Sequence, residues 1–336
     1  MLTFRSGDLF FNKATHIVIT VNAEGAMGRG IALTCKHLFP EVYHHYREDC
    51  KVHKAITPGG LKAYDTSDGR VVVTVCTKDR WRYHSKPKWV EDCIHHLALY
   101  CAALPKYSVV SIPPLGCGNG GLDWSDVKEK LQSVFETYSP ECTLLVYEPL
   151  EYSKRYVTGV GSRSTTETEY KRLQKTMYLL TRLGYILRSG HANGSDMAFE
   201  EGCVAAGGAW TAEIYLPIPQ FNHKHNLPNV TYHHFEDETK GYGVLSDLIA
   251  YADKLKGFAR SAFIRNTYQV LGSTLDTPSD LLVCCSDWDG KGSVKGGTRI
   301  AWDLAKKHDI PCYNIRYVEE YRRLIDDIKA TNREVF

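Results

Sequence analysis

Two glycine-rich stretches in the first half of this 336-residue chain have the composition of anion cradles. Gly25, Gly28 and Gly30 fall in Val21-Asn22-Ala23-Glu24-Gly25-Ala26-Met27-Gly28-Arg29-Gly30, directly before an amphipathic run. Gly116, Gly118, Gly120 and Gly121 fall in Ile112-Pro113-Pro114-Leu115-Gly116-Cys117-Gly118-Asn119-Gly120-Gly121-Leu122-Asp123-Trp124. Glycine lets backbone N–H groups approach an anion at a helix N-terminus. One such turn often only connects; two in a small α/β domain suggest a diphosphate. Asp8, in Gly7-Asp8-Leu9 after a short strand, is placed to accept from an exocyclic amine such as adenine N6. From Lys78 to Lys88 the chain carries Lys78, Arg80, Arg82, Lys86 and Lys88 against Asp79, with Trp81, Tyr83 and Trp89 interleaved. That mixture suits phosphate contacts plus base stacking; a solvated basic edge explains the charges equally well, the aromatics less easily.

The second half repeats the pattern three times. Tyr156-Val157-Thr158 enters Gly159-Val160-Gly161-Ser162-Arg163-Ser164; a later strand enters Ser189-Gly190-His191-Ala192-Asn193-Gly194-Ser195-Asp196, then a helix with Phe199-Glu200; Lys295-Gly296-Gly297-Thr298 opens another helix. Three such junctions make a nucleotide crevice at the strand ends of a Rossmann-like sheet. His223, His225, His233 and His234 crowd one polar segment, but no Cys or carboxylate spacing supports a metal there, and no metal is expected. The 11 cysteines are scattered without a C-x-x-C pair and read as reduced, mostly buried thiols.

Positioning these residues requires alternating strands and helices. In the first half, strands are expected at 16–21, 70–75, 107–112 and 142–147, with helices near 29–38, 40–51, 87–104 and 123–137. Glu148-Pro149-Leu150-Glu151 ends that series, and the domain boundary is set there. The second half is expected to run strand 155–160, helix 166–183, strand 185–189, helix 195–207 and strand 212–216. A polar stretch from Pro217 to about Thr239 follows, then helices near 243–254 and 258–271, strand 281–285, helix 298–307, strand 311–315 and a last helix near 317–328. Asp123 precedes an apolar-periodic run and reads first as a helix N-cap. Cys117 reads as a packing residue.

The composition excludes several classes. Hydrophobic residues at 43% and charged ones at 24% are ordinary globular usage, not that of a disordered, collagen-like or coiled-coil chain. Lys+Arg 41 against Asp+Glu 39 names no partner by charge, and the two halves each net +1. No apolar run approaches the roughly 18 residues of a membrane helix, and the N-terminus lacks a signal-peptide layout. The expectation is a soluble, cytoplasmic protein without a membrane partner.

G-D-[IL], V-N…M-G-x-G-I-A and P-P-L-G-C-G-N-G-G-L-D-W, all within 1–150, resemble the macrodomain family. Thr77-Lys78-Asp79-Arg80-Trp81-Arg82 matches the T-K-x-x-W-R pattern of its DNA ADP-ribosyl glycohydrolase branch. The resemblance implies a mixed sheet between helices, with Asp8 and Leu9 at the adenine and Asn22 near the distal ribose. It wraps the diphosphate with Met27, Gly28, Gly30 and Ile31 and with Gly116, Cys117, Gly118, Asn119 and Gly120, and makes Lys78 catalytic. A lysine attacking an anomeric carbon must be neutral, and burial beside cations such as Arg80 and Arg82 lowers its pKa. Relatives that release ADP-ribose from protein carboxylates carry a second acid where this chain has Gly120; Asp123 is the nearest carboxylate and the remaining catalytic candidate. Arg80, Trp81, Arg82 and Lys86 would contact nucleic acid.

Residues 153–336 resemble the SLOG superfamily, which includes DprA-like and cytokinin-activating proteins, through G-S-R, S-G-x-A-x-G-x-D-x-A-x-E, Arg265-Asn266 and G-G-T. This implies a Rossmann-like domain with a mainly parallel sheet and a nucleotide held by Gly161, Ser162, Arg163, Ser189, Gly190, Gly194, Asp196, Glu200, Arg265, Asn266, Gly296, Gly297 and Thr298. The catalytic P-G-G-x-G-T-x-x-E pattern is absent, so binding without hydrolysis is expected, with homo-oligomerisation through this domain an option. The expected activity is removal of ADP-ribose from nucleic-acid bases, DNA above all, with no cofactor required and ADP-ribose as product or ligand. Reversal of a toxin's modification or nucleotide-based phage defence would fit. The rivals are a non-catalytic binder of ADP-ribose-derived or cyclic nucleotide signals and a hydrolase of a free metabolite such as an ADP-ribose phosphate.

Overall fold

The computed structural model describes residues 2–149, 152, 154–207, 211–223, 227 and 229–332. The chain separates into two compact units that divide between residues 153 and 154.

The first unit holds β1 (Leu2–Arg5), β2 (His16–Asn22), α1 (Gly30–Leu38), α2 (Pro40–Lys51), β3 (Leu61–Asp65), β4 (Val71–Lys78), α3 (Pro87–Ala102), β5 (Val109–Ile112), α4 (Trp124–Tyr138) and β6 (Thr143–Tyr147). The sheet order is β1-β6-β5-β2-β4-β3. β3 runs antiparallel to β4, and the other pairings are parallel. Strand alternation sends successive side chains to opposite faces. Val73 and Val75 of β4 therefore pack with Ile94, Leu97 and Leu131 in one core, and Val72 and Cys76 with Cys35, Val42 and Tyr46 in the other. A strand buried on both faces reads as a continuous β-branched run, which is what Val71-Val72-Val73-Thr74-Val75 is. The parallel pairing brings the carboxyl ends of β2, β4 and β5 to one edge.

The second unit holds β7 (Arg155–Gly161), α5 (Glu167–Arg182), β8 (Tyr185–Ser189), α6 (Ser195–Ala206), β9 (Ala212–Tyr215), β10 (Val230–His233), α7 (Thr239–Leu248), α8 (Gly257–Leu271), β11 (Leu281–Cys285), α9 (Thr298–Lys307), β12 (Cys312–Asn314) and α10 (Val318–Thr331). Its sheet, β10-β9-β8-β7-β11-β12, is parallel throughout. Strand order reverses at β7, which lies between β8 and β11; such a switch point opens a crevice at the carboxyl ends. The architecture is thus α/β, a mixed-sheet unit followed by a parallel one.

Two edge strands lie outside the sequence reading. β3 and β10 are short and only partly buried, so neither carries the apolar run that marks an inner strand. The strand expected from Tyr107 begins at Val109, because the Ser108 N–H closes a turn onto the Pro105 carbonyl and Tyr107 lies in solvent. The helix expected at 243–254 is α7 followed by a separate 3-10 turn at Ala252–Lys254. All 11 cysteines are free thiols, ten of them buried. No described helix is long and apolar enough to cross a membrane.

Candidate functional site

In the first unit, the loops that follow β2, β4 and β5 enclose a cavity of about 690 Å³. The pairing of β2 with β4 slips at its carboxyl end: Val21 lies opposite Cys76, but Asn22 lies opposite Lys78, leaving Thr77 as the extra residue of a bulge. Bulges re-aim side chains at strand ends. Here the result is that Asn22 and Lys78, 56 positions apart in sequence, line the same wall.

Asn22 organises the loop after β2. Its Oδ1 accepts from the Glu24 and Ala26 N–H groups at 3.0 and 3.3 Å, and its Nδ2 donates to the Ala26 carbonyl at 2.7 Å. The Tyr46 hydroxyl donates to the Asn22 carbonyl from behind. Lys78 is 9% exposed, and its Nζ donates to the Asn119 carbonyl in the loop after β5. Burial lowers the Lys78 pKa from its ordinary value. Arg80 and Arg82, the cations expected to do this, are exposed and are not the cause.

The glycine loops divide by the space around them. Gly28 and Gly118 line the cavity, and a Cβ on either would meet nothing within 4 Å. Gly120 also lines the cavity, but a Cβ there would fall against the Gly116 carbonyl oxygen and 2.6 Å from Ser85 Oγ. Gly116 has φ +73°, a conformation that side-chain-bearing residues rarely adopt, and its Cβ would press on Val90 at 2.8 Å. Gly30, Ile31, Cys117 and Asn119 also line the cavity.

Three predicted ligand residues lie off this wall. Leu9 and Met27 are buried in the core packed by α1 and α2. Asp8 accepts from the Phe10 N–H at 2.8 Å and shapes the turn after β1. Asp123 is exposed, caps α4 by accepting from the Ser125 N–H at 2.7 Å, and does not line the cavity. Arg29 is a wall residue that the sequence reading passed over; a cation between Gly28 and Gly30 was the available signal. Trp81 and Arg82 lie on the wall, with the Arg82 guanidinium 5.3 Å from the Trp81 ring centre. Arg80 and Lys86 are exposed outside it, Lys86 over Trp89 at 4.4 Å.

The predicted residues of the second unit converge on the carboxyl ends of β7, β8 and β11, but many are occupied with one another. The Ser195 N–H donates to the Ser162 carbonyl at 3.1 Å, and a Cβ on Gly161 would strike Cys285's carbonyl oxygen at 2.7 Å. Ser189 Oγ donates to the Gly159 carbonyl at 2.8 Å. Arg265 donates to the Gly190 carbonyl at 2.6 Å, and Asn266 to the Gly297 carbonyl at 2.8 Å. Asp196 and Glu200, read as acceptors for a ribose or base, are buried. Burial pushes Asp196 up to about 6, although Arg265 lies 4.0 Å away and opposes the shift. Glu200 pairs with His191 at 2.8 Å, and that hydrogen bond raises the histidine's pKa. Arg163, Gly296 and Gly297 are exposed, and Gly194 half so, while Thr298 is buried at the start of α9. A small cavity of about 10 Å³ near Tyr215 and Tyr268 includes Arg265 alone of the predicted set. Of the crowded histidines, His233 stacks on Tyr215 at 4.8 Å and His234 points its Nδ1 at the Leu216 carbonyl; His225 lies outside the described residues.

Residues 18–131 match the macro domain family. That match lies within the N-terminal half of the chain. The DNA ADP-ribosyl glycohydrolase of Mycobacterium tuberculosis (strain ATCC 25618 / H37Rv) is 38% identical over 169 residues, 49% of this chain and 47% of that protein. The DNA ADP-ribosyl glycohydrolase of Thermus aquaticus is 35% identical over 159 residues, 46% of this chain and 43% of that protein. The chain spans about half the length of the curated relatives it matches. The solved macrodomain of Mycobacterium tuberculosis DarG aligns at 36% identity and TM-score 0.41, covering 44% of this chain and 98% of that one.

The cap assignment of Asp123 is testable by stability. Asp123→Ala should cost about 1 kcal/mol, and Asp123→Asn, which keeps a capping oxygen, should cost little. Urea denaturation of the full chain measures both.

Proposed function

We propose that the macro domain removes ADP-ribose from nucleic acid, with modified DNA bases as the leading substrates, by attack of Lys78 at the distal ribose C1. The observation that carries this reading is the bulge that sets a buried, pKa-lowered lysine beside Asn22 at the wall of a cavity bounded by two glycine loops. The M. tuberculosis and T. aquaticus relatives, both DNA ADP-ribosyl glycohydrolases, support it. The glycine loops would hold the diphosphate and Asn22 the loop against which the ribose rests, so that reacting atoms are oriented before reaction. The amine of Lys78 forms the new bond to C1 while the bond to the base breaks; water then releases ADP-ribose and restores the amine.

Lys78→Ala should lower turnover of ADP-ribosylated DNA by at least about 10³-fold while leaving ADP-ribose affinity largely intact. Because the attacking amine must be neutral, kcat/KM should rise with pH and level off below the pKa of about 10.4 of an ordinary lysine. Rate profiles and calorimetry on the full chain check both, and ADP-ribose binding without product would indicate a sponge.

The exposed Arg80 and Lys86, with Trp81 at 51% exposure, supply the edge for a nucleic-acid strand. Lys86→Ala should reduce the salt dependence of substrate affinity by roughly one contact. Trp81→Ala should weaken ADP-ribosylated DNA more than free ADP-ribose; equal effects would favour a small-molecule substrate.

The second unit, on this reading, binds a phosphorylated nucleotide at its switch point without cleaving it, through Arg163, Gly194 and the open N-terminus of α9. A thermal-shift screen of nucleotides on the full chain should find a stabilising ligand, and Arg163→Ala combined with Thr298→Ala should abolish the shift. Cleavage of that ligand would refute the binding-only assignment.

A further inference from the structure

The charged side chains on the wall of the macro-domain cavity are Lys78, Arg29 and Arg82, all cations, and Cys117 is the other titratable group there. The glycine loop cannot supply an acid from position 120, where a Cβ would fall against the Gly116 carbonyl oxygen. Asp123 is turned to its helix cap.

Arg82 is held on this wall by its neighbours. The Ala23 N–H donates to the Lys78 and Asp79 carbonyls at 3.0 and 3.1 Å. The Trp81 N–H donates to Glu24 Oε2 at 3.0 Å, and the Ser85 N–H donates to the Gly120 carbonyl at 2.9 Å. The segment is thus pinned to the loop after β2 at one end and to the loop after β5 at the other, with Arg82 between the pins.

Breaking a glycosidic bond leaves an electron pair on the departing atom. Either an acid protonates that atom, or a cation pairs with the anion as it develops. A wall whose charges are all positive performs the second task. Resting on the ADP-ribose-removal reading above, we propose that Arg82 pairs with the leaving group as it departs as an anion. The substrates are then conjugates through an acidic atom, such as an acidic ring nitrogen of a base, and not through an alkyl alcohol or an amine. Lys78 supplies the pair for the new bond to C1, and the pair of the old bond stays on the leaving atom. The ammonium formed on Lys78 loses its proton to solvent, the leaving anion takes one from water, and hydrolysis of the lysine adduct completes the sum: conjugate plus water gives ADP-ribose plus the protonated leaving group.

A phosphate contact by Arg82 would have different consequences, so the roles separate experimentally. The probes are ADP-ribose conjugates joined at C1 to phenols of graded acidity, from a pKa of about 10 down to about 7. The full-length protein should turn over the series with a shallow dependence on phenol acidity. Arg82→Gln should slow the least acidic phenol by about 10²-fold and the most acidic by less than about 10-fold, with ADP-ribose affinity and folding unchanged. Arg82→Lys should recover part of the loss. An equal drop across the series, or none, overturns the role of Arg82, as does an unsubstituted protein that cleaves ADP-ribosylated DNA but no phenol conjugate. Failure of the unsubstituted protein on ADP-ribosylated DNA and on every phenol conjugate instead removes the reading on which the proposal rests.

Discussion

Lys78 and Asn22 share a wall because the pairing of β2 with β4 slips by one residue at its carboxyl end. Thr77 has no partner across β2, and the Ala23 N–H is drawn onto the Lys78 and Asp79 carbonyls instead. In a regular ladder each side chain stands on a face fixed by its parity, and a shift of one residue changes that face. The bulge frees the end of β4 from this rule. The lysine amine then crosses the end of β2 to the Asn119 carbonyl beyond β5, leaving water and losing some of its affinity for a proton.

The loops on either side depend on that arrangement. The segment after β4 touches both glycine loops, through Glu24 on one side and Gly120 on the other. Gly120 must be glycine because its neighbours fill the space of a side chain, whereas Gly28 and Gly118 leave space open. The first kind of glycine serves packing, and the second keeps a path open for something outside the protein. A cavity framed by both kinds can hold its shape while admitting an anion to backbone N–H groups.

Much of this was legible in the sequence, for a physical reason. Buried parallel strands and glycine turns before helices leave strong local signals, so β2, β4, α1 and α4 fall within a few residues of expectation. The edge strands β3 and β10 do not, because half-exposed strands need no apolar run. The bulge at Thr77 is invisible to alternation, and so is the source of the lysine's shifted pKa, which is burial and not the nearby arginines. The motif around Asp8, Leu9 and Met27 also carries local structure: Leu9 and Met27 pack in the core, and Asp8 accepts from the Phe10 N–H in the turn after β1. In the second unit the glycine and polar positions do converge at the sheet's switch point, yet Gly190, Asp196, Arg265 and Asn266 are engaged inward. A loop that packs tightly and a loop that binds phosphate require the same small residues, and sequence alone does not separate them.

In the proposed mechanism Lys78 bonds to the distal ribose. An amine on that carbon can open to an imine, which a hydride reductant would fix in place. The direct measurement is mass spectrometry of the full-length protein after turnover of ADP-ribosylated DNA in the presence of cyanoborohydride. One ADP-ribose is expected on the peptide that carries Lys78; turnover with that peptide unmodified would rule out the covalent role of the lysine.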